Sequence, residues 1–212
     1  MKELLQEIRN RKKENRKAES NELKQCMIDA NKIIGIEKVF SFDCPGNRFG
    51  SVPLLDIVKV IEKVKINFNP NIIFTHFAKD MKLDHVITNR AVLTATRPMS
   101  GETVKEIYAF EVLSSTEWNF PLTFSPDYFV DITSTISKKQ SAMKIYKNEL
   151  RDFPHPRSLG GIELNAKYWR IKIGLDKCEA FQMLRKIWDS PLSWMIRVPK
   201  ISHLYMLQEH AA

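Results

Sequence analysis

The chain has 212 residues, 43% apolar and 27% charged, with a net charge of +8, the proportions of one ordinary globular domain. No stretch approaches the roughly 18 apolar residues of a membrane-spanning helix, and the charged N-terminus has no apolar core of the signal-peptide kind. Cys26, Cys44 and Cys178 are scattered without a CxxC spacing, which points to a reduced, cytoplasmic setting.

In chain order, residues 3 to about 34 read as one helix ended by Gly35, a residue suited to a C-cap. Its first part interleaves opposite charges at helical spacing, as in Glu7–Arg11 and Glu14–Lys17, so the basic excess there reads as a solvated face. No RNP, KH or helix-turn-helix pattern supports a nucleic-acid partner. Leu23, Met27, Ala30 and Ile34 form a core-facing stripe in the second part. "EKVFSF" (Glu37–Phe42) reads as a short buried strand, broken by the loop "DCPGNRFGSVP". A helix follows, with Leu54, Ile57, Val58, Ile61 and Val64 at helical period behind Pro53.

"NIIFT" is strand-like, and residues 85 to 96 are helical up to Arg97–Pro98. "KEIYAFEVL" and "YFVDI" read as strands, 134 to 150 as an amphipathic helix, and "DFPHPRS" as a loop stiffened by two prolines around His155. A helix near 160 to 171 and the strand-like "EAFQML" complete the pattern. This order predicts an α/β fold with a largely parallel sheet. The last residues, after about Ile187, have no clear period and read as an extension, 188–212, beyond a domain of residues 1–187.

In such sheets, sites form where loops converge beyond the carboxyl ends of the strands. "THFAKDMKLDH" falls there and holds His76, Asp80, Asp84 and His85 within ten residues. Asp84 suits a helix cap, and His85 then lies in the first turn, where the helix dipole disfavours the imidazolium. A neutral imidazole can bind a metal while a neighbouring carboxylate fixes its tautomer. By residue type the stretch is either such a site or a polar connection, and it is short of the three protein ligands of a catalytic zinc.

The run "THFAKDMKLDHVITNRAVLTATRP" resembles the second signature of the PIG-L/LmbE-like zinc-dependent N-deacetylases. The blocks "ETVKEIYAFEVLSSTEW", "FVDIT", "KIYKNELRDFPHPRS" and "EAFQMLRKI" are similar to later parts of that family, so that the resemblance spans roughly residues 7 to 187. It implies a Rossmann-like three-layer α/β fold with a mostly parallel sheet. It also implies Zn2+-dependent hydrolysis of an N-acyl, usually N-acetyl, group from an amino sugar or glycoconjugate.

By carry-over, His85 is the zinc ligand and Asp84 its acidic neighbour at the catalytic position. His76 and Asp80 are polar residues of the same loop, Arg48 is a substrate-side arginine, and His155 and Arg157 belong to a loop at the site mouth. Lys82 stands where many relatives have a histidine, a point charge able to stabilise a developing oxyanion. The family's first, AHPDDE-type signature has no match in residues 1 to 36, so the expectation is a chain without the strand–helix–strand unit that supplies two zinc ligands and the general base. A separate chain supplying that unit, or a homo-oligomer, is the corresponding partner expectation. The competing reading is a non-catalytic sugar- or partner-binding domain in which Arg48, Arg97, His155 and Arg157 contact anionic or hydroxylated ligands.

Overall fold

A computed structural model describes residues 2–42, 48–121, 123–187 and 204–205. The charge pairs expected along residues 3–17 and most of the 188–212 extension, with His203 and His210, fall outside what is described at side-chain level. The first helix, α1, spans Lys2–Ile34. Gly35 ends it with φ +91°, and the N–H groups of Gly35 and Ile36 both donate to the Asn31 carbonyl at 3.0 Å. Met27 and Ala30 are buried as the stripe requires, whereas Ile34, the last residue of the helix, is 48% exposed.

Glu37–Phe42 is a correction: it is irregular backbone, not a strand, and Phe40 and Phe42 are 37% and 39% exposed rather than buried. A strand needs a neighbour to satisfy its N–H and C=O groups, and among the described residues none pairs with this segment.

After a 3-10 turn at Phe49–Ser51, α2 (Leu54–Phe68) leads to β1 (Ile72–His76), α3 (Leu83–Ala95) and β2 (Glu106–Phe110). Then come β3 (Tyr128–Asp131), α4 (Ile136–Ile145, shorter than expected), α5 (Leu159–Ile173), β4 (Cys178–Lys186) and the two-residue β5 (Leu204–Tyr205). The sheet order is β3-β4-β2-β1-β5. Parallel pairing is found at β1, with β2 on one side and β5 on the other, while β4 runs antiparallel to both β2 and β3. No described helix is long and apolar enough to cross a membrane.

Side chains alternate across the pleat and so divide the core. Ile73 and Ile107 are opposed on one face and meet Ile57, Val58, Ile61, Ala91 and Val92 of α2 and α3. Fully burying each large aliphatic chain contributes about 1.5–3 kcal/mol, which makes this cluster the main anchor of α2 and α3. On the other face Phe74, Tyr108, Phe181 and Tyr128 form an aromatic ladder across four strands, with ring centroids 4.4–6.3 Å apart. Trp169 of α5 packs with Phe77, Phe124, Cys178 and Ala180, and Ile162 and Ala166 of the same helix pack with Ile132 and Ile136.

The carboxyl end of α3 is closed by two cations. Lys65 Nζ donates to the Ala95 carbonyl at 2.7 Å and to Glu102, and Arg185 donates to the carbonyls of Thr96 at 2.6 Å and Val104 at 2.9 Å. These bonds satisfy C-terminal carbonyls with charge of the sign the helix dipole favours.

Further along the chain, Ser158 caps α5 by accepting the Gly161 N–H at 2.9 Å. A Cβ on Gly161 would lie 2.4 Å from the Pro156 carbonyl oxygen and 2.9 Å from that of His155, whereas one on Gly160 would meet only the movable Phe153 ring at 3.3 Å. Gly161→Ala is therefore expected to destabilise the fold by about 1–3 kcal/mol and Gly160→Ala by clearly less. Urea unfolding midpoints of the two variants check this; equal midpoints would contradict the backbone clash.

Candidate active site

β1 and β2 end side by side at His76 and Phe110, and the Phe77 N–H continues the ladder to the Phe110 carbonyl at 3.1 Å. The loops that leave them, residues 77–82 and 111–117, turn toward one another over the strand ends. Asp80 joins them. Its Oδ1 accepts from His85 Nδ1 at 2.9 Å, from the Lys82 backbone N–H at 2.9 Å and from the Ser115 hydroxyl; its Oδ2 accepts from the Thr116 hydroxyl at 2.5 Å. Burial alone would raise this carboxyl's pKa, but the four hydrogen bonds from His85, Ser115, Thr116 and the Lys82 backbone outweigh it and bring it down to about 2.

The 111–117 loop is itself held in a demanding shape. Ser114 has φ +67°, a left-handed conformation uncommon for a side-chain-bearing residue, and Glu117 accepts the N–H groups of Ser114 and Ser115. Thr116 Oγ1 accepts the Val112 N–H at 2.8 Å while its own proton goes to Asp80.

His85 is fully buried in the first turn of α3, as the sequence predicts. Because Nδ1 donates to Asp80, the neutral ring carries its lone pair on Nε2. The His76 ring lies over it, with centroids 4.2 Å apart and planes 21° from parallel, and the His76 carbonyl accepts from Asn89 Nδ2 at 2.7 Å.

Asp84 departs from the expected role. The N-cap of α3 is Lys82, and the Asp84 carboxylate, 3% exposed, turns away from its own helix to accept the Phe49 N–H at 3.0 Å through Oδ1. That bond brings the 3-10 turn, and with it the exposed Arg48, to the side of the site. Asp84 Oδ2 is buried and has no hydrogen-bond partner among the described residues.

The remaining predicted residues divide. The half-buried Lys82 stands at the head of α3 beside Asp84 and His85. His155 and Arg157 lie in one loop, where His155 Nδ1 accepts the Arg157 backbone N–H at 3.1 Å. The Arg157 guanidinium is engaged by Glu149, so its observed work is to hold that loop. Arg97 is not brought to the site: it follows the carboxyl end of α3, about 18 Å along the helix axis from His85. It lines instead an open groove of ≈ 410 Å³ with Lys65, Asn69, Met99 and Glu102.

Two groups escaped the sequence reading. Ser115 and Thr116 complete the shell of Asp80, and the string "SSTEW" just past a strand end was their only local sign. Glu111, the first residue after β2, has its Oε1 held by Asn165 at 2.7 Å and the Trp169 indole at 2.6 Å. Burial pushes its carboxyl above the usual range against the pull of those two donors.

Zinc of the catalytic kind takes three protein ligands. His85 through Nε2 and the orphaned Asp84 Oδ2 are donors of the right chemistry, but among the described residues no group of three His, Cys, Asp or Glu side chains is arranged to hold a metal ion. The described donor set therefore does not fit a complete zinc site. What the arrangement does provide is an oriented imidazole whose positive form a buried carboxylate would stabilise.

The Asp80 bonds also set an acid limit. A carboxyl whose folded pKa lies below its unfolded value, here about 2 against 3.8, stabilises the fold fully above pH 3.8. That contribution, on the order of 2 kcal/mol, is lost as the pH falls from there through 2. Asp80→Asn is expected to unfold more easily near neutrality and to lack this part of the acid dependence. Urea midpoints of both proteins from pH 5 to 2 check it.

The profile of the family described as PIG-L, GlcNAc-PI de-N-acetylase, matches residues 4–96, a span that includes Asp80, Asp84 and His85. No curated protein matches the chain. Among solved structures, the conserved protein TT1542 from Thermus thermophilus is similar with a TM-score of 0.63 at 19% identity, over 82% of this chain and 77% of that one. The N,N'-diacetylchitobiose deacetylase from Pyrococcus horikoshii gives 0.61 at 15% identity, over 82% and 67%. The A40926 pseudoaglycone deacetylase Dbv21 gives 0.56 at 18% identity, over 78% and 71%. At these identities the structures show a shared fold, and the profile match covers the part of the chain that runs from α1 through α3.

Proposed function

We propose that the chain acts on N-acylated amino-sugar conjugates and removes the acyl group, the N-acetyl group in the first instance, at the carboxyl end of β1. The observation that carries this reading is the buried Asp80–His85 pair beside the buried Asp84 carboxylate, whose Oδ2 has no hydrogen-bond partner among the described residues, on a fold shared with a chitobiose deacetylase. Amide hydrolysis needs water made nucleophilic, the carbonyl oxygen stabilised as charge develops, and a proton for the departing amine.

Within this chain the Asp80–His85 pair is the group suited to handle protons. Asp80 holds the ring in one tautomer and stabilises the imidazolium that forms when Nε2 takes up a proton. Lys82, at the head of α3, supplies positive charge for a developing oxyanion, and Arg48 supplies donors for sugar hydroxyls or an anionic substituent. Zinc supplies Lewis acidity and an acidified water in sites that hold it. Here the described residues give it two donors, His85 and Asp84, so no step is assigned to it.

That shortage favours a second reading, in which the same site binds an amino-sugar conjugate without turning it over. Acetate release from di-N-acetylchitobiose, with zinc added and with a chelator, separates the two. The first reading expects release that falls at least about 100-fold in His85→Ala, the scale typical of losing a group that moves a proton in the transition state. Binding of the sugar without release supports the second. Absence of both binding and release overturns each.

A further inference from the structure

Beside His155, a further aromatic side chain, Trp118, stands near the loop that carries Asp80. Trp118 is 43% exposed, an unusual place for an indole with so much apolar surface to bury. Its position is nonetheless set by its neighbours. Two residues earlier Thr116 bonds to Asp80, and one residue later Asn119 Nδ2 donates to the Lys79 carbonyl at 2.7 Å. Trp118 is thus pinned on both sides to the loop that carries Asp80, with its Cα no more than about 7 Å from that of Thr116.

Across from it stands His155, the two rings in a T-shaped contact with centroids 5.6 Å apart and planes at 86°. His155 is fixed by its own backbone: its N–H donates to the Asp152 carbonyl at 3.0 Å and its carbonyl accepts from the Ser158 N–H at 2.9 Å. Since Nδ1 accepts the Arg157 N–H, the ring proton of neutral His155 sits on Nε2 as a hydrogen-bond donor. A flat apolar face and an oriented N–H, both on braced loops, match the two sides of a pyranose. One face of that ring presents C–H bonds to the electron-rich surface of an aromatic, and its edge presents hydroxyls to donors.

We propose that Trp118 and His155 form a subsite for a second sugar ring, next to the one that carries the acyl group. The protein then selects di- and oligosaccharide conjugates over single amino sugars. This rests on the amino-sugar reading above and adds to it the length of the substrate. An indole placed one residue before an anchor to Lys79 reaches a ring adjoining the Asp80–His85 site; a monosaccharide held at that site leaves the indole uncovered.

The test titrates N-acetylglucosamine and di-N-acetylchitobiose onto the full chain by saturation-transfer NMR, with wild type, Trp118→Ala, Trp118→Phe and His155→Gln. In wild type the disaccharide is expected to bind more tightly than the monosaccharide. Trp118→Ala is expected to weaken the disaccharide about tenfold and leave the monosaccharide unchanged, while Trp118→Phe keeps most of the affinity. His155→Gln, which retains a side-chain donor, is expected to lose less than Trp118→Ala. Because Trp118 is exposed, thermal melts of the two Trp118 variants should overlay that of wild type. Equal disaccharide affinity in wild type and Trp118→Ala overturns the subsite and leaves the amino-sugar reading standing. Failure of wild type to bind either sugar overturns both.

Discussion

The site depends on one buried carboxylate. Asp80 accepts four hydrogen bonds from three different stretches of chain: its own loop through the Lys82 N–H, α3 through His85, and the loop after β2 through Ser115 and Thr116. An ionised carboxylate shielded from water is costly unless its lone pairs are filled, and here the filling groups come from the elements that need to be held together. The carboxylate is thus both the lock on the tautomer of His85 and the tie between two loops whose sequences are separated by more than thirty residues. The strained backbone at Ser114 is maintained by that tie and by Glu117.

Two further constraints converge on the same corner. The sheet stops β1 and β2 at a common height, so that the loops leaving them must share one space. Asp84 then draws in the turn at Phe49, which brings a segment from before α2 to the head of α3. Neither contact involves residues adjacent in sequence. The corner is built from long-range pairings on a rigid frame, the arrangement that lets polar side chains be held in place without flexible linkers.

Much of the frame was legible in the sequence. Helical stripes such as Ile57, Val58, Ile61 and Val64, the glycine after α1, and the β-branched "NIIF" each report local physics, because period, cap and propensity act over a few residues. Glu37–Phe42 misled because a short apolar run states a preference for burial and not the presence of a neighbouring strand. The place of His85 in the first turn of α3 was legible because an aspartate and a histidine at a helix start form a local pattern. The partners of Asp80 were not, since Ser115 and Thr116 owe their role to a turn that returns the chain across the strand ends. Asp84 looked like a cap by spacing, yet the Phe49 N–H, 35 residues earlier, claims its carboxylate. Arg97 was grouped with Arg48, His155 and Arg157 as a ligand contact, while α3 sets it at the opposite end of the helix from His85.

The charges at the ends of α3 bear on what kind of ligand this corner accepts. A bare helix N-terminus is an attractive seat for phosphate or sulfate, because its N–H groups and dipole present positive potential. In this chain Asp80 already takes the Lys82 N–H and Asp84 adds a second buried carboxylate, while Lys65 and Arg185 hold their positive charge at the far end. The head of the helix is thereby compensated in advance. An incoming anion would meet two carboxylates there, whereas an uncharged, polarisable group meets no such repulsion. With two carboxylates already at its head, the helix offers less positive potential there than a bare N-terminus would.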